Sequence, residues 1–270
     1  MNALRPEAAR HARLLMLTLL LVFCGRAYGQ QDDDPPAANP ARPTIATPAT
    51  ITPVGYLQFE SGVLGAWHSG EFSSQFSVNE VMRLAVHPRL ELLTSLEPVA
   101  RTWTGKGKTT DAGDVLVGAQ AILFHGEGAK PTIAASYFNR VYSGTAPDLD
   151  IGGPERSFLL LASADVKGFH YDLNGFVNEL VTDGTRRAQF GHTLSVSHAL
   201  GKKYTAGAEL WHFTQPFLRS HAAGSLFNIA YIARRNLVFD AGFERGLTST
   251  STRWQAVAGV TYLLPHRIWH

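Results

Sequence analysis

The sequence predicts an all-β protein, a transmembrane antiparallel up-and-down β-barrel of about 12 strands. Three observations lead there. Apolar and polar residues alternate in segments of about ten to fourteen residues, near the length that crosses a bilayer at barrel tilt. The connections between those segments sort into a short and a long class. The N-terminus reads as a secretory signal. After residue 54 there is no helical period and no long uninterrupted apolar run, which excludes α/β and helical-membrane architectures.

Residues 1–29 form the expected signal peptide. Arg5, Arg10, His11 and Arg13 give a basic n-region, Leu14 to Phe23 an apolar h-region, and Ala27-Tyr28-Gly29 a small-x-small cleavage site. The apolar run of about ten residues is half of what a spanning helix needs. Cys24 is the only cysteine. Phe23 before it argues against lipid attachment, and cleavage after Gly29 leaves a mature chain without disulfides. Residues 30–53, QQDDDPPAANPARPTIATPATITP, are rich in Pro, Ala, Thr and Asp and carry no apolar period. They are expected to be a disordered periplasmic lead, with the barrel over 54–270.

In residues 56–67 Leu57, Phe59, Val63 and Trp67 alternate with Gln58 and Glu60, which defines one greasy and one polar face. The same pattern places strands at 55–68, 75–86, 89–101, 114–125, 131–143, 156–166, 168–181, 187–199, 203–213, 222–234, 236–246 and 253–264. Short connections fall at 87–89, 125–130, 166–168, 200–203 and 234–236. The intervening ones, such as 102–113 and 143–155, are mostly longer and rich in Gly, Ser, Thr and Asp, as extracellular loops are opposite periplasmic turns.

Alternation alone does not say which face is inside. About twelve strands enclose a lumen too wide for a simple dry core, which assigns the polar row to the interior and the apolar row to lipid. The lumen-lining row then holds Gln58, Glu60, Arg83, Glu91, Glu97, Arg101, Asp114, Gln120, Asp172, Asn174, Glu209, Asp240, Glu244, Arg253 and Gln255. Gly118, Gly191, Gly207, Gly242 and Gly259 share its parity and leave room there. Glu80 falls on the lipid parity, against the pattern.

Charged residues are 17% of the chain, below the roughly 25% of soluble domains, and the formal net charge is +2 with no long basic run, which argues against nucleic acid as a partner. The expected partners are outer-membrane lipid and a small-molecule solute, with no indication of oligomeric state.

Four stretches carry a resemblance to a family: Arg42-Pro43 followed by PVGYLQFESG (53–62), HPRLEL (87–92), GDVLVGA (113–119), and FDAGFERGLT (239–248) with GVTY (259–262). In these the chain resembles the phenol-degradation meta-pathway family of outer-membrane, transporter-like barrels. The resemblance implies an outer-membrane barrel that moves small, often hydrophobic or aromatic compounds, and it supplies no catalytic residue. One departure is the C-terminus. Such proteins finish on an aromatic residue closing the last strand, whereas here Pro265 follows Tyr262-Leu263-Leu264 and Trp269 is next to last.

No catalytic, cofactor or metal site emerges from the motifs. The histidines show no ligand spacing and have no cysteine partner in the barrel. His192 and His198 have serines near them in sequence, but there is no G-x-S-x-G elbow. Trp67, Trp103, Trp211, Trp254, Tyr142, Tyr204 and Tyr262 fall near strand ends, as aromatic girdles do. The expected function is a channel or facilitator for small molecules. The alternatives are a plugged structural or sensing barrel and, third, a lipase-type barrel enzyme.

Overall fold

The structure, a computed structural model, describes residues 36–269; the expected signal segment 1–29 and residues 30–35 lie outside the described residues. The strands are β1 (Leu57–Trp67), β2 (Ser74–His87), β3 (Leu90–Thr104), β4 (Gly107–Asp111), β5 (Val115–Phe124), β6 (Thr132–Tyr142), β7 (Arg156–Val166), β8 (Phe169–Thr182), β9 (Thr185–Leu200), β10 (Tyr204–Gln215), β11 (Ser220–Arg234), β12 (Leu237–Gly246) and β13 (Trp254–Leu263). Twelve of them form a closed antiparallel ring, in which β3 pairs with β5 and β1 pairs with β13. Closure leaves no ring strand with an unpaired edge. The short β4 pairs with β3 alone and folds part of the expected 102–113 loop into a hairpin.

Every segment predicted from alternation becomes a ring strand, with ends shifted by a few residues. One rim carries the connections 88–89, 125–131, 167–168, 201–203 and 235–236; it is called the short-turn rim below. The opposite, long-loop rim carries 68–73, the β4 hairpin and 143–155. It also carries one very tight turn, Asp183-Gly184, where both residues have positive φ (50° and 76°) and close the hairpin of β8 and β9.

Side chains alternate as the pleat requires. On β7, Ser157, Leu159, Leu161 and Ser163 point inward and are buried, while Phe158 and Leu160 point outward and are exposed. The outer surface is apolar around the ring, with Phe76, Leu92, Val117, Leu173, Val177, Phe190, Leu194, Leu210, Phe227, Ile229, Phe239 and Phe243 all exposed.

Strand β3 breaks the alternation. Val78 opposes Val99 and Glu80 opposes Leu96, so Asn79 faces two residues, Glu97 and Pro98. This is a bulge, and Pro98, which has no N–H to give a ladder, suits it. The extra residue flips the phase: Glu91 and Leu93 are the buried members below the bulge, Ala100 and Thr102 above it. Glu80, the exception to the sequence pattern, lies beside this bulge on the outer face, where the Ser61 hydroxyl donates to its carboxylate.

The expected disordered lead is corrected for residues 36–53. They adopt no helix or strand, as their prolines dictate, yet Ala46, Ala49 and Thr52 are buried inside the ring. Irregular backbone here is not disordered backbone. The physical obstacle to burying an irregular segment is its unpaired N–H groups. Here prolines carry none, and wall side chains take most of the rest.

Candidate functional site

The lumen is the candidate site, and its floor is built around residues 38–54. This segment enters at the short-turn rim, where the Ala38 N–H donates to the Arg235 carbonyl, and leaves at the same rim, where the Gly55 N–H donates to the Ala85 carbonyl, both at 2.8 Å. In between, wall side chains hold its main chain. Gln58 accepts from the Asn39 N–H and donates to the Asn39 carbonyl, each at 2.8 Å. Glu60 accepts from the Ala41 N–H at 3.1 Å, and Glu209 from the Ile45 and Ala46 N–H groups at 2.9 and 2.7 Å. Asn174 accepts from the Thr47 N–H at 2.6 Å and donates to its carbonyl at 3.0 Å. Ser163 accepts from the Ala49 N–H at 2.7 Å, Gln120 donates to the carbonyls of Pro48 and Thr50, and Glu91 accepts from the N–H and hydroxyl of Thr52.

Arg83, buried on β2, ties the two limbs of this segment together. Its guanidinium donates to Glu91 (3.0 and 2.9 Å), to Glu60 (3.3 Å) and to the main-chain carbonyls of Asn39 (2.9 Å) and Thr50 (3.4 Å). Two carboxylates and two carbonyls around one cation satisfy its donors, which a buried charge requires. A second cation, Arg42 of the segment itself, lies 3.7 Å from Asp240. Its guanidinium fills a bay in the wall where a Cβ on Gly62 or Gly259 would stand.

The opposite wall is apolar. Trp211, Phe213 and Ala222 form a buried cluster against which Phe176, Ile45 of the segment and Ile151 of the 143–155 loop pack. Leu159, Leu161 and Ala134 form a second cluster with Ala49, bordered by Phe138 and Phe176. Glycines on neighbouring strands seat the rings: a Cβ on Gly191 would overlap Phe213, one on Gly224 would overlap Trp211, and one on Gly118 would overlap Phe138. The rings therefore lie close against the wall.

From the long-loop rim, residues 143–155 reach across to β13. Asp150 accepts from the N–H and hydroxyl of Thr252 at 2.6 and 3.0 Å and from Gln255 at 3.4 Å. At the base of the loop, Asp114 accepts from Arg140 at 3.0 Å and from the Gly144 N–H at 2.9 Å. Burial, with the Asp114 carboxylate nearby, pushes the Asp148 carboxyl up to about 6. Burial also raises Asp150, opposed by its bonds from Thr252.

Of the fifteen residues singled out from alternation, most meet inside the ring. Gln58, Glu60, Arg83, Glu91, Gln120, Asn174, Glu209 and Asp240 contact the inner segment as described. Asp172 accepts from Ser163 at 2.5 Å, Glu244 accepts from Gln255 at 2.6 Å, and a Cβ on Gly113 would overlap the carboxyl of Glu97. Two expectations fail. Arg101 is exposed, with its guanidinium 5.4 Å from the Trp103 ring, because the β3 bulge reverses the alternation before it. Arg253 is exposed in the loop ahead of β13, where strand parity has not begun. Trp211 also departs from the girdle pattern and is buried in the lumen, whereas Trp67, Trp103, Tyr142, Tyr204 and Tyr262 remain on the outside at the rims. His192, His212 and His221 form a row of rings on the outer face, and His198 lies against the Gly168 carbonyl at 2.8 Å.

Sequence reasoning missed Arg42, Arg140, Asp148, Asp150, Phe176 and Phe213. Arg140 shares the inward parity of Thr132, Ala134 and Ser136, so that signal was present. Phe176 and Phe213 share inward parity too, but an apolar residue on the polar row reads as noise. Nothing local marks Arg42 or the two loop aspartates.

No protein-family profile matches the chain, and no curated protein sequence matches it. Among solved structures it is similar to an outer membrane channel from Pseudomonas putida F1, at 14% identity and a TM-score of 0.58 over 80% of this chain and 98% of that one. It is also similar to the KdgM porin, at 13% identity and a TM-score of 0.51 over 77% and 98% of the two chains. At such identities the likeness is one of fold: the chain has the barrel fold of outer-membrane channels and porins.

Proposed function

We propose that the chain is an outer-membrane channel for small molecules, exported through a signal peptide over 1–29 and inserted with its short-turn rim toward the periplasm. The apolar outer row matches a lipid surroundings, and the flanking Trp and Tyr residues match interfacial girdles. The observation that carries the solute class is the apolar patch of Phe176, Trp211, Phe213, Leu159 and Leu161 in an otherwise polar lumen, covered in this state by Ile45 and Ala49 of the inner segment and Ile151 of the loop and open to a solute once these withdraw. Such a patch suits small hydrophobic or aromatic solutes, which the resemblance to the meta-pathway family also implies.

The test is single-channel recording in planar bilayers together with uptake of a small aromatic solute into proteoliposomes. Current or uptake above that of protein-free membranes supports the channel. One specific observation favours a second reading, a plugged structural or sensing barrel: residues 38–54 and 143–155 both cross the lumen. A folded barrel that shows neither current nor uptake, even after residues 38–54 have been cut free and removed, decides for that second reading.

A further inference from the structure

The wall bonds to residues 38–53 have a common feature. Nearly all of them go to the main chain. N–H groups of residues 39, 41, 45, 46, 47, 49 and 52 donate to wall side chains, and carbonyls of 39, 47, 48 and 50 accept from them. Few side chains of the segment touch the wall: the Thr52 hydroxyl bonds to Glu91, Arg42 pairs with Asp240, and Ile45 and Ala49 pack on the apolar face, while Asn39 donates to the Thr50 carbonyl and hydroxyl and Thr44 to the carbonyls of Ala41 and Ala46 within the segment itself. The prolines at 40, 43, 48 and 53 fall between the bonded N–H groups, where no donor is needed.

This is the arrangement of a receptor around a folded-back peptide, and it differs from strand addition to a sheet edge in that side chains of the wall, not a backbone ladder, read the amides. Both limbs leave through one rim, so the segment can withdraw without threading. We propose that the lumen floor is a peptide-binding site that recognises looped, proline-interrupted main chain, and that residues 38–53 occupy it as a tethered, displaceable ligand. The proposal deepens the channel reading by naming what opens the floor, but binding is measured independently of conduction. Recognition through amides makes the site tolerant of side-chain identity at every position except those few.

A specific protease site inserted between Val54 and Gly55 allows the full chain to be folded first and cut afterwards. Tethering raises the effective concentration of the native segment, and the cut removes that advantage. The cut barrel is then challenged with a fluorescent synthetic peptide of residues 38–54. A second peptide carries N-methyl groups at Ala41, Ala46 and Ala49, and a third carries Ala38→Thr, Ala41→Thr and Thr47→Ala while keeping every other residue, the buried Ala46 and Ala49 included. The expected result is that the native and exchanged peptides displace the cut segment, and the N-methylated peptide binds at least about tenfold more weakly. Equal binding of the N-methylated peptide overturns main-chain recognition. Failure of every peptide to displace the segment from a still-folded barrel overturns displaceability. Should the insertion block folding, Ala49→Cys in the uncut mature chain serves instead. Labelling of that thiol by a bulky reagent that native peptide accelerates supports the proposal, and complete protection in the folded barrel overturns it. Displacement with neither ion current nor solute uptake would retire the channel reading and leave the peptide site standing.

Discussion

Glu209 on β10 and Ala46 in the inner segment stand 163 residues apart in the chain and are joined by a 2.7 Å hydrogen bond from the Ala46 N–H to the Glu209 carboxylate. The other carboxylate oxygen takes the Ile45 N–H at 2.9 Å. Glu209→Gln keeps the shape but leaves one of the two N–H groups facing an NH2. The expected cost is about 1–3 kcal/mol, borne by docking of the segment and not by the ring. Proteolysis of residues 38–54 should accelerate, while the folded barrel keeps its gel mobility.

Arg83 holds a larger share of the stability. Arg83→Met leaves Glu60 and Glu91 buried without their cation, a loss of about 3–5 kcal/mol. Urea unfolding in lipid vesicles measures it. The triple variant Arg83→Met/Glu60→Gln/Glu91→Gln removes the uncompensated charge as well and should recover most of the loss.

Gly224→Ala places a methyl group where the Trp211 ring lies. The ring must shift toward the lumen axis, at a cost of about 1–3 kcal/mol typical of overpacking. Tryptophan emission should move, and solute uptake should fall more than stability does.

What the sequence disclosed and what it hid follow from the physics of a strand. Alternation is a two-residue signal, so it locates all twelve ring strands and puts Gln58, Glu91 and Gln120 inside. It fails after one inserted residue, which is why Arg101 was placed inside and lies outside. The pattern has no means of recognising residues 38–53, because their order comes from partners such as Glu209 and Asn174, more than a hundred positions away. Gln120 illustrates the consequence: alternation alone marks it as tolerant lumen lining, but its amide holds Pro48, Thr50 and, through its carbonyl, Ser136.

On the outer surface, Phe227→Arg sits mid-strand on β11 and should cost about 2–4 kcal/mol in a bilayer. Tyr262→Arg, at the short-turn rim, should cost about 0–1 kcal/mol. Folding equilibria in lipid vesicles compare the two. Equal costs would show that the apolar row does not face lipid.

The 143–155 loop should respond to pH. The packed loop raises the Asp148 carboxyl from 3.8 to about 6, so the packed state binds its proton more tightly than the released state. The packed loop is therefore most stable below about 4 and loses that stability as pH rises to about 6. Protection of the 143–155 amides, each measured against its intrinsic exchange rate at the same pH, should be greater at pH 4 than at pH 7 in the wild type. Asp148→Asn should narrow the difference.

Because residues 38 and 55 leave the lumen through the same rim, a pull on the N-terminal limb loads the wall bonds one after another. Gln58 and Arg83 let go of Asn39 first, then Glu60 and Arg42's bay give way, and only later Glu209 and Asn174. A segment spanning the barrel from rim to rim would load all its bonds in parallel, and their strengths would add. Peeled in series, the floor resists with the strength of only a few bonds at a time. Thermal stability and mechanical resistance are thereby separated: the segment is held firmly at rest and yields to a small directed force.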